Sequence, residues 1–167
     1  MHQAHRADKT GQLLSVDEGQ TYVVQAFPRR NLQSPLFTPG DQGYLLLADG
    51  NENEPVLPSY TRGVPKGIGF TRRDLPKWHQ WLPVRVRAMV AASQALFVAG
   101  PPDVLVPNDP MAAFEGREGG VLWAVSKESG KKLAELQLQS PPVFDGLSAA
   151  GSRLYGSLSD GTVQCWE

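Results

Sequence analysis

Seven cations, Arg62, Lys66, Arg72, Arg73, Lys77, Arg85 and Arg87, crowd one stretch of the chain in which Asp74 is the only opposing charge. Trp78, His79 and Trp81 sit among them. Cationic and aromatic side chains interleaved in this way bind single-stranded nucleic acid, polyanions or sugars, by charge and by stacking on the ring faces. Arg85 and Arg87 alternate with Val84 and Val86, which predicts that the two arginines lie on the solvent or channel face of a strand. The following segment, 103–128, is acidic: Asp103, Asp109, Glu115, Glu118 and Glu128 stand against Arg117 and Lys127. The two patches could face each other across neighbouring structural units, or remain as solvated loop charges.

Other constellations are thinner. Gly67-Ile68-Gly69 lacks the Gly-Lys-Ser/Thr and the following helix that a phosphate-binding loop requires, so it reads as a turn. His2 and His5 lie one helical turn apart without a third metal ligand, in a polar segment, 1–11, expected to be a frayed tail. His79 is the remaining histidine, and no Ser-His-Asp order stands out around it. Cys165 is the single cysteine, which excludes an intrachain disulfide or a cysteine-built zinc site and fits a small buried hydrophobe. No catalytic residue, metal site or cofactor is therefore expected, and the chain reads as more plausibly non-enzymatic.

The elements that must position these residues are short strands. With 17 Gly and 14 Pro in 167 residues and 41% hydrophobic content, the composition suits many strands joined by tight turns and argues against a helical bundle. A net charge of −1 gives no general attraction to nucleic acid or anionic lipid. The first residues lack the apolar core of a secretory signal, and no apolar run approaches the roughly 18 residues that span a bilayer. A complete chain of this kind is expected in the cytoplasm. The C-terminal part of a larger exported protein would lie outside it.

Strands are predicted over residues 13–16, 21–27, 44–48, 84–91, 95–99, 121–126, 131–138, 147–150, 153–158 and 162–166, with an extended segment reaching Trp81. Residues 28–43 and 49–67 read as long Pro- and Gly-rich loops. A helical turn is predicted over 109–114, with Asp109 as cap and Pro110 in the first helical position. The stretch 121–167 reads as a blade-sized antiparallel meander. Four units result: a tail over 1–11, an irregular partial blade over 12–82, a blade over 83–126 with an insertion at 101–120, and a C-terminal blade over 127–167.

Two of these units repeat. When Arg87 is set over Asp145, Ala91 meets Ala149, Ala92 meets Ala150, Leu96 meets Leu154 and Phe97 meets Tyr155. Propeller arrays repeat one four-stranded blade about every 40–50 residues, and the insertion accounts for the longer offset here.

The run Ala124-Val-Ser126-Lys-Glu-Ser129-Gly130-Lys-Lys-Leu-Ala134 resembles the signature of PQQ-like (quinoprotein-type) β-propeller repeats, Ala-x-Asp-x-x-Thr-Gly-x-x-x-Trp. Spacing is kept, while Ser126, Ser129 and Ala134 replace Asp, Thr and Trp. Asp160-Gly161 resembles a strand entry of such a blade. Residues 83–167 as a whole resemble the C-terminal end of large PQQ-like repeat proteins of planctomycete-type bacteria. The resemblance implies an all-β fold of β-propeller-type antiparallel blades, two to three of them, within a larger propeller. Losing the tryptophan at 134 implies that blade docking rests on other residues. Quinone-dependent oxidation in this family needs a calcium site of acidic and amide side chains, a catalytic Asp and commonly adjacent cysteines. The acidic set and the cysteine pair are missing here.

The function expected is a non-catalytic binding or scaffolding domain, with Arg62, Lys66, Arg72, Arg73, Trp78, His79, Trp81, Arg85 and Arg87 as its ligand-binding candidates. Its partners would be a protein or a second copy, with a polyanion or glycan as a further ligand class. Nucleic acid and membrane insertion are not expected. The alternatives are a fragment of a quinoprotein-like oxidoreductase and a carbohydrate-binding module built on Trp78 and Trp81.

Overall fold

A computed structural model describes residues 11–26, 40, 43–53 and 74–167. Strand follows strand in three antiparallel meanders. The first sheet runs β1 (Leu13–Val16), β2 (Gln20–Ala26), β3 (Tyr44–Gly50), β4 (Trp78–Leu82). The second runs β5 (Ala88–Ala91), β6 (Ala95–Gly100), β7 (Gly120–Ser126), β8 (Lys132–Leu138). The third has three strands, β9 (Pro142–Ala150), β10 (Arg153–Leu158) and β11 (Val163–Trp166). Among the described residues one short helix, α1 (Ala112–Glu115), lies between β6 and β7.

Turn chemistry sets the hairpins. The Asp17 carboxylate accepts the N–H groups of Gly19 and Gln20 at 3.0 and 2.8 Å, a side-chain turn that reverses β1 into β2. Gly151 and Ser152 both have positive φ, at 56° and 61°, which is the two-residue turn whose twist matches its flanking strands. The equivalence seen in the repeat holds in space: Ala91 pairs with Leu96 between β5 and β6, and Ala149 pairs with Leu154 between β9 and β10.

The sheets stack face to face with their first strands adjacent, β1 against β5 and β5 against β9. This is the packing of propeller-type blades fanning from an axis. One apolar core fills the space between the first two sheets and includes Tyr22, Val24, Leu46, Trp78, Leu96, Val98, Trp123 and Val125. A smaller one joins the second sheet to the third through Leu122, Leu138, Leu147, Leu154 and Leu158. Val23, Leu45 and Leu47, on the opposite face of the first sheet, are also buried. That two-sided burial explains why β2 and β3 carry continuous apolar runs instead of alternating.

Several expectations need correction. The described residues of the stretch 12–82 form a four-stranded sheet where a partial blade was expected, and the long loops expected over 28–43 and 49–67 lie mostly outside the described residues. The boundary between the last two blades falls near 139–141 instead of 126/127, because β8 pairs with β7 and the stretch 121–167 is shared between two sheets. The helical turn begins at Ala112 after Met111, and Asp109 does not cap it with its side chain. That carboxylate is instead held by Arg117 at 2.6 and 2.7 Å.

Candidate functional site

Among the described residues, Trp78, His79, Trp81, Arg85 and Arg87 do not form one surface. Arg62, Lys66, Arg72 and Arg73 lie outside the described residues. Trp78 is buried in the core between the first two sheets, and its indole N–H donates to the Lys127 carbonyl at 2.8 Å. His79 is exposed, whereas Trp81 is half-buried against Val23, Leu45 and Leu47. The β4 backbone alternates, so Trp78 faces the second sheet and His79 turns away from it.

Arg85 is the clearest departure from expectation. Val84, Arg85 and Val86 are all buried, so the arginine is on neither a solvent nor a channel face. Its guanidinium donates to Asp103 Oδ1 at 3.2 Å and to the Tyr44 hydroxyl at 3.1 Å, and it lies 5.0 Å from the Phe114 ring centroid. The 101–119 excursion brings Asp103 and Phe114 over this stretch, a non-local contact that strand alternation cannot reveal. Burial pushes the Asp103 carboxyl above its ordinary value although Arg85 opposes the shift, and burial also raises the Tyr44 phenol. Arg87 is half-buried and donates to the Phe114 carbonyl at 2.8 Å. The cluster ties Arg85 to three separate stretches of the chain.

The signature residues form the turn between β7 and β8. Ser126 Oγ accepts the Ser129 N–H at 3.2 Å, Ser129 Oγ accepts the Lys131 N–H at 3.5 Å, and Gly130 takes φ = 72°. The hydroxyls thus supply turn acceptors where the repeat signature has Asp and Thr. A Cβ at Gly130 would lie 2.5 Å from the Trp78 ring, so the glycine is required both for the turn and for the docking of that indole. Ala124 is half-buried on the opposite face of the second sheet, where it lines a cleft with Ala134. In the turn before β11, Asp160 Oδ1 accepts the Thr162 N–H at 2.9 Å and Gly161 takes φ = 86°. The Thr162 hydroxyl donates to the same oxygen, and these hydrogen bonds lower the Asp160 carboxyl below its usual range.

Sequence reasoning missed Lys127. Its ammonium lies 2.7 Å from Asp17 Oδ2 and donates to the Ala92 carbonyl at 2.9 Å, with the Tyr22 ring centroid 5.8 Å away. Hydrogen bonding from Lys127 holds the Asp17 carboxyl at about 2. Burial first, and Asp17 second, raise the Tyr22 phenol. A lysine in an exposed-looking turn carries no local mark of this role.

Between the second and third sheets lies an apolar cleft of about 700 Å³. Phe97, Ala124 and Ala134 line one wall, and Ala149, Leu154 and Trp166 the other. Among the described residues, no group of His, Cys, Asp or Glu could hold a metal ion, and no helix is long and apolar enough to cross a membrane. Cys165 is exposed on β11, contrary to the buried position expected for it. No protein-family model matches this chain, and no curated protein is significantly similar to it.

Proposed function

We propose that this chain is a non-catalytic binding or scaffolding part of a PQQ-like propeller, and that the outer face of its third sheet meets further β-structure. The observation that carries this reading is the contrast between the two ends of the fan. On the outer face of the first sheet, Val23 and Leu45 are at most 1% exposed. On the outer face of the third, Ser148, Ala150, Ser157, Val163 and Cys165 are exposed, Val163 at 70%. This face also carries the half-buried Tyr155, between Ser148 and Cys165, and at its margin the Arg153–Glu167 ion pair. It adjoins the edge of β11, a strand without the charged or proline residues that commonly blunt an edge. Small neutral side chains permit close stacking of another sheet.

The test is solution mass by light scattering over a range of concentrations, with Val163→Lys as the comparison. The wild-type chain is expected to associate into a defined dimer or larger species. Val163→Lys should shift it toward the monomer, because stacking would bury an unpaired ammonium. A wild-type chain that stays monomeric at every concentration overturns the reading.

A further inference from the structure

We propose that the cleft between the second and third sheets binds a planar aromatic ring, in the place that Trp78 takes in the preceding interface. Strand register makes the two interfaces comparable position by position. In the first sheet Tyr22 pairs with Ala48 and Ala48 with Trp78, giving a cross-strand row of aromatic, alanine, indole. In the second sheet Phe97 pairs with Ala124 and Ala124 with Ala134, giving aromatic, alanine, methyl. Both rows face the next sheet along the fan. In the first, the Tyr22 and Trp78 ring centroids are 6.2 Å apart and the indole closes the space. In the second, the space stays open as the cleft, lined by Phe97, Ala124 and Ala134.

The opposite wall is prepared for a ring as well. A Cβ at Gly156 would lie 2.7 Å from Trp166, so the missing side chain lets that indole rest against β10. Leu122, Leu136 and Leu154 complete an apolar lining. An apolar space left by an absent large side chain admits an aromatic guest, and the cleft falls within the roughly 300–1,000 Å³ usual for small-ligand sites. Offset or edge-on contact with Phe97 and Trp166 would add to burial. Charges of both signs stand at the rim, Glu135, Arg153 and Glu167, so the ring belongs to a small neutral or zwitterionic molecule. The site lies on the inner side of the third sheet, opposite the face proposed above for stacking, and does not depend on that stacking.

Titration of the full chain with 5-fluoroindole, followed by fluorine and methyl NMR, tests the site. A second arm uses the blocked peptide Trp-His-Gln-Trp-Leu, which has the sequence of β4. The expected result is saturable binding with shifts at the Ala124 and Ala134 methyls, weakened about tenfold or more, or some 1.4 kcal/mol, in Ala134→Trp. Ala149→Leu, which fills the cleft from the other wall, should weaken binding too and covers the case in which Ala134→Trp does not fold. Binding of 5-fluoroindole supports a free small molecule as the occupant, and binding of the peptide alone overturns it in favour of a polypeptide. The inference is overturned if neither probe saturates, or if binding persists undiminished in the filled variants.

Discussion

At Lys127, contacts converge from stretches far apart in the chain: the Asp17 carboxylate, the Ala92 carbonyl and the Tyr22 ring all meet one ammonium. Its own backbone carbonyl accepts from Trp78, so the residue ties the two first sheets together at both ends. The ion pair sets the sign of a pH effect. The folded Asp17 pKa of about 2 lies below the ordinary 3.8, so its stabilisation is complete above pH 3.8 and is lost as pH falls through 2. Partial exposure of the pair reduces the effect to about 1 kcal/mol. Urea unfolding of the wild type and Asp17→Asn should show a stability gap that is constant above pH 4 and narrows toward pH 2. A gap independent of pH would refute the role given to the charge.

Within the elements, the turn joining β7 and β8 and the first residue of β4 form one docking unit. Gly130 has φ = 72° and no room for a side chain beneath the Trp78 ring. Gly130→Ala should therefore destabilise the chain by about 1–3 kcal/mol from backbone strain and the clash combined. Trp78→Ala should remove about 3–5 kcal/mol, the range for deleting a buried aromatic. In the double variant the clash has no ring to meet, so the two losses should sum to more than the double loss. Strict additivity in thermal or urea unfolding would mean that indole and turn do not act together. The place of the turn, between strands read over 121–126 and 131–138, was legible in the chain. The ring that docks on it was not, since Trp78 lies in a different sheet.

Across the whole molecule the cores are unequal. The apolar cluster between the first two sheets is the larger, and the third sheet is held by a smaller one with the cleft beside it. Opening free energy follows local burial, so amide exchange in β9, β10 and β11 should be faster than in β2, β3, β6 and β7. Uniform protection across the three sheets, measured by hydrogen exchange, would contradict this order.

Alternation, β-branched runs and turn residues are local properties, and they located the strands to within a few residues: Tyr44 opens β3 and Arg153 opens β10, as read from the chain. The repeat likewise foretold two hairpins of the same register, Ala91 on Leu96 and Ala149 on Leu154, although only the second turns through positive φ, at Gly151 and Ser152. Sheet membership depends on which edge a strand finds, and β8 found β7 although reading 121–167 as one meander had grouped it with the strands that follow. Burial depends on what folds over a segment. Arg85 was read as a surface charge and is enclosed by Tyr44, Asp103 and Phe114, residues distant in sequence. Trp78 was read as a stacking platform and is a packing residue, while Ala134, noted as a lost tryptophan, borders an open cleft. The sequence by itself determined an all-β chain of meanders with these turns, since each is settled by neighbours along the backbone. Only the tertiary structure decided which charges are enclosed and which interface stays open, because both follow from contacts between sheets.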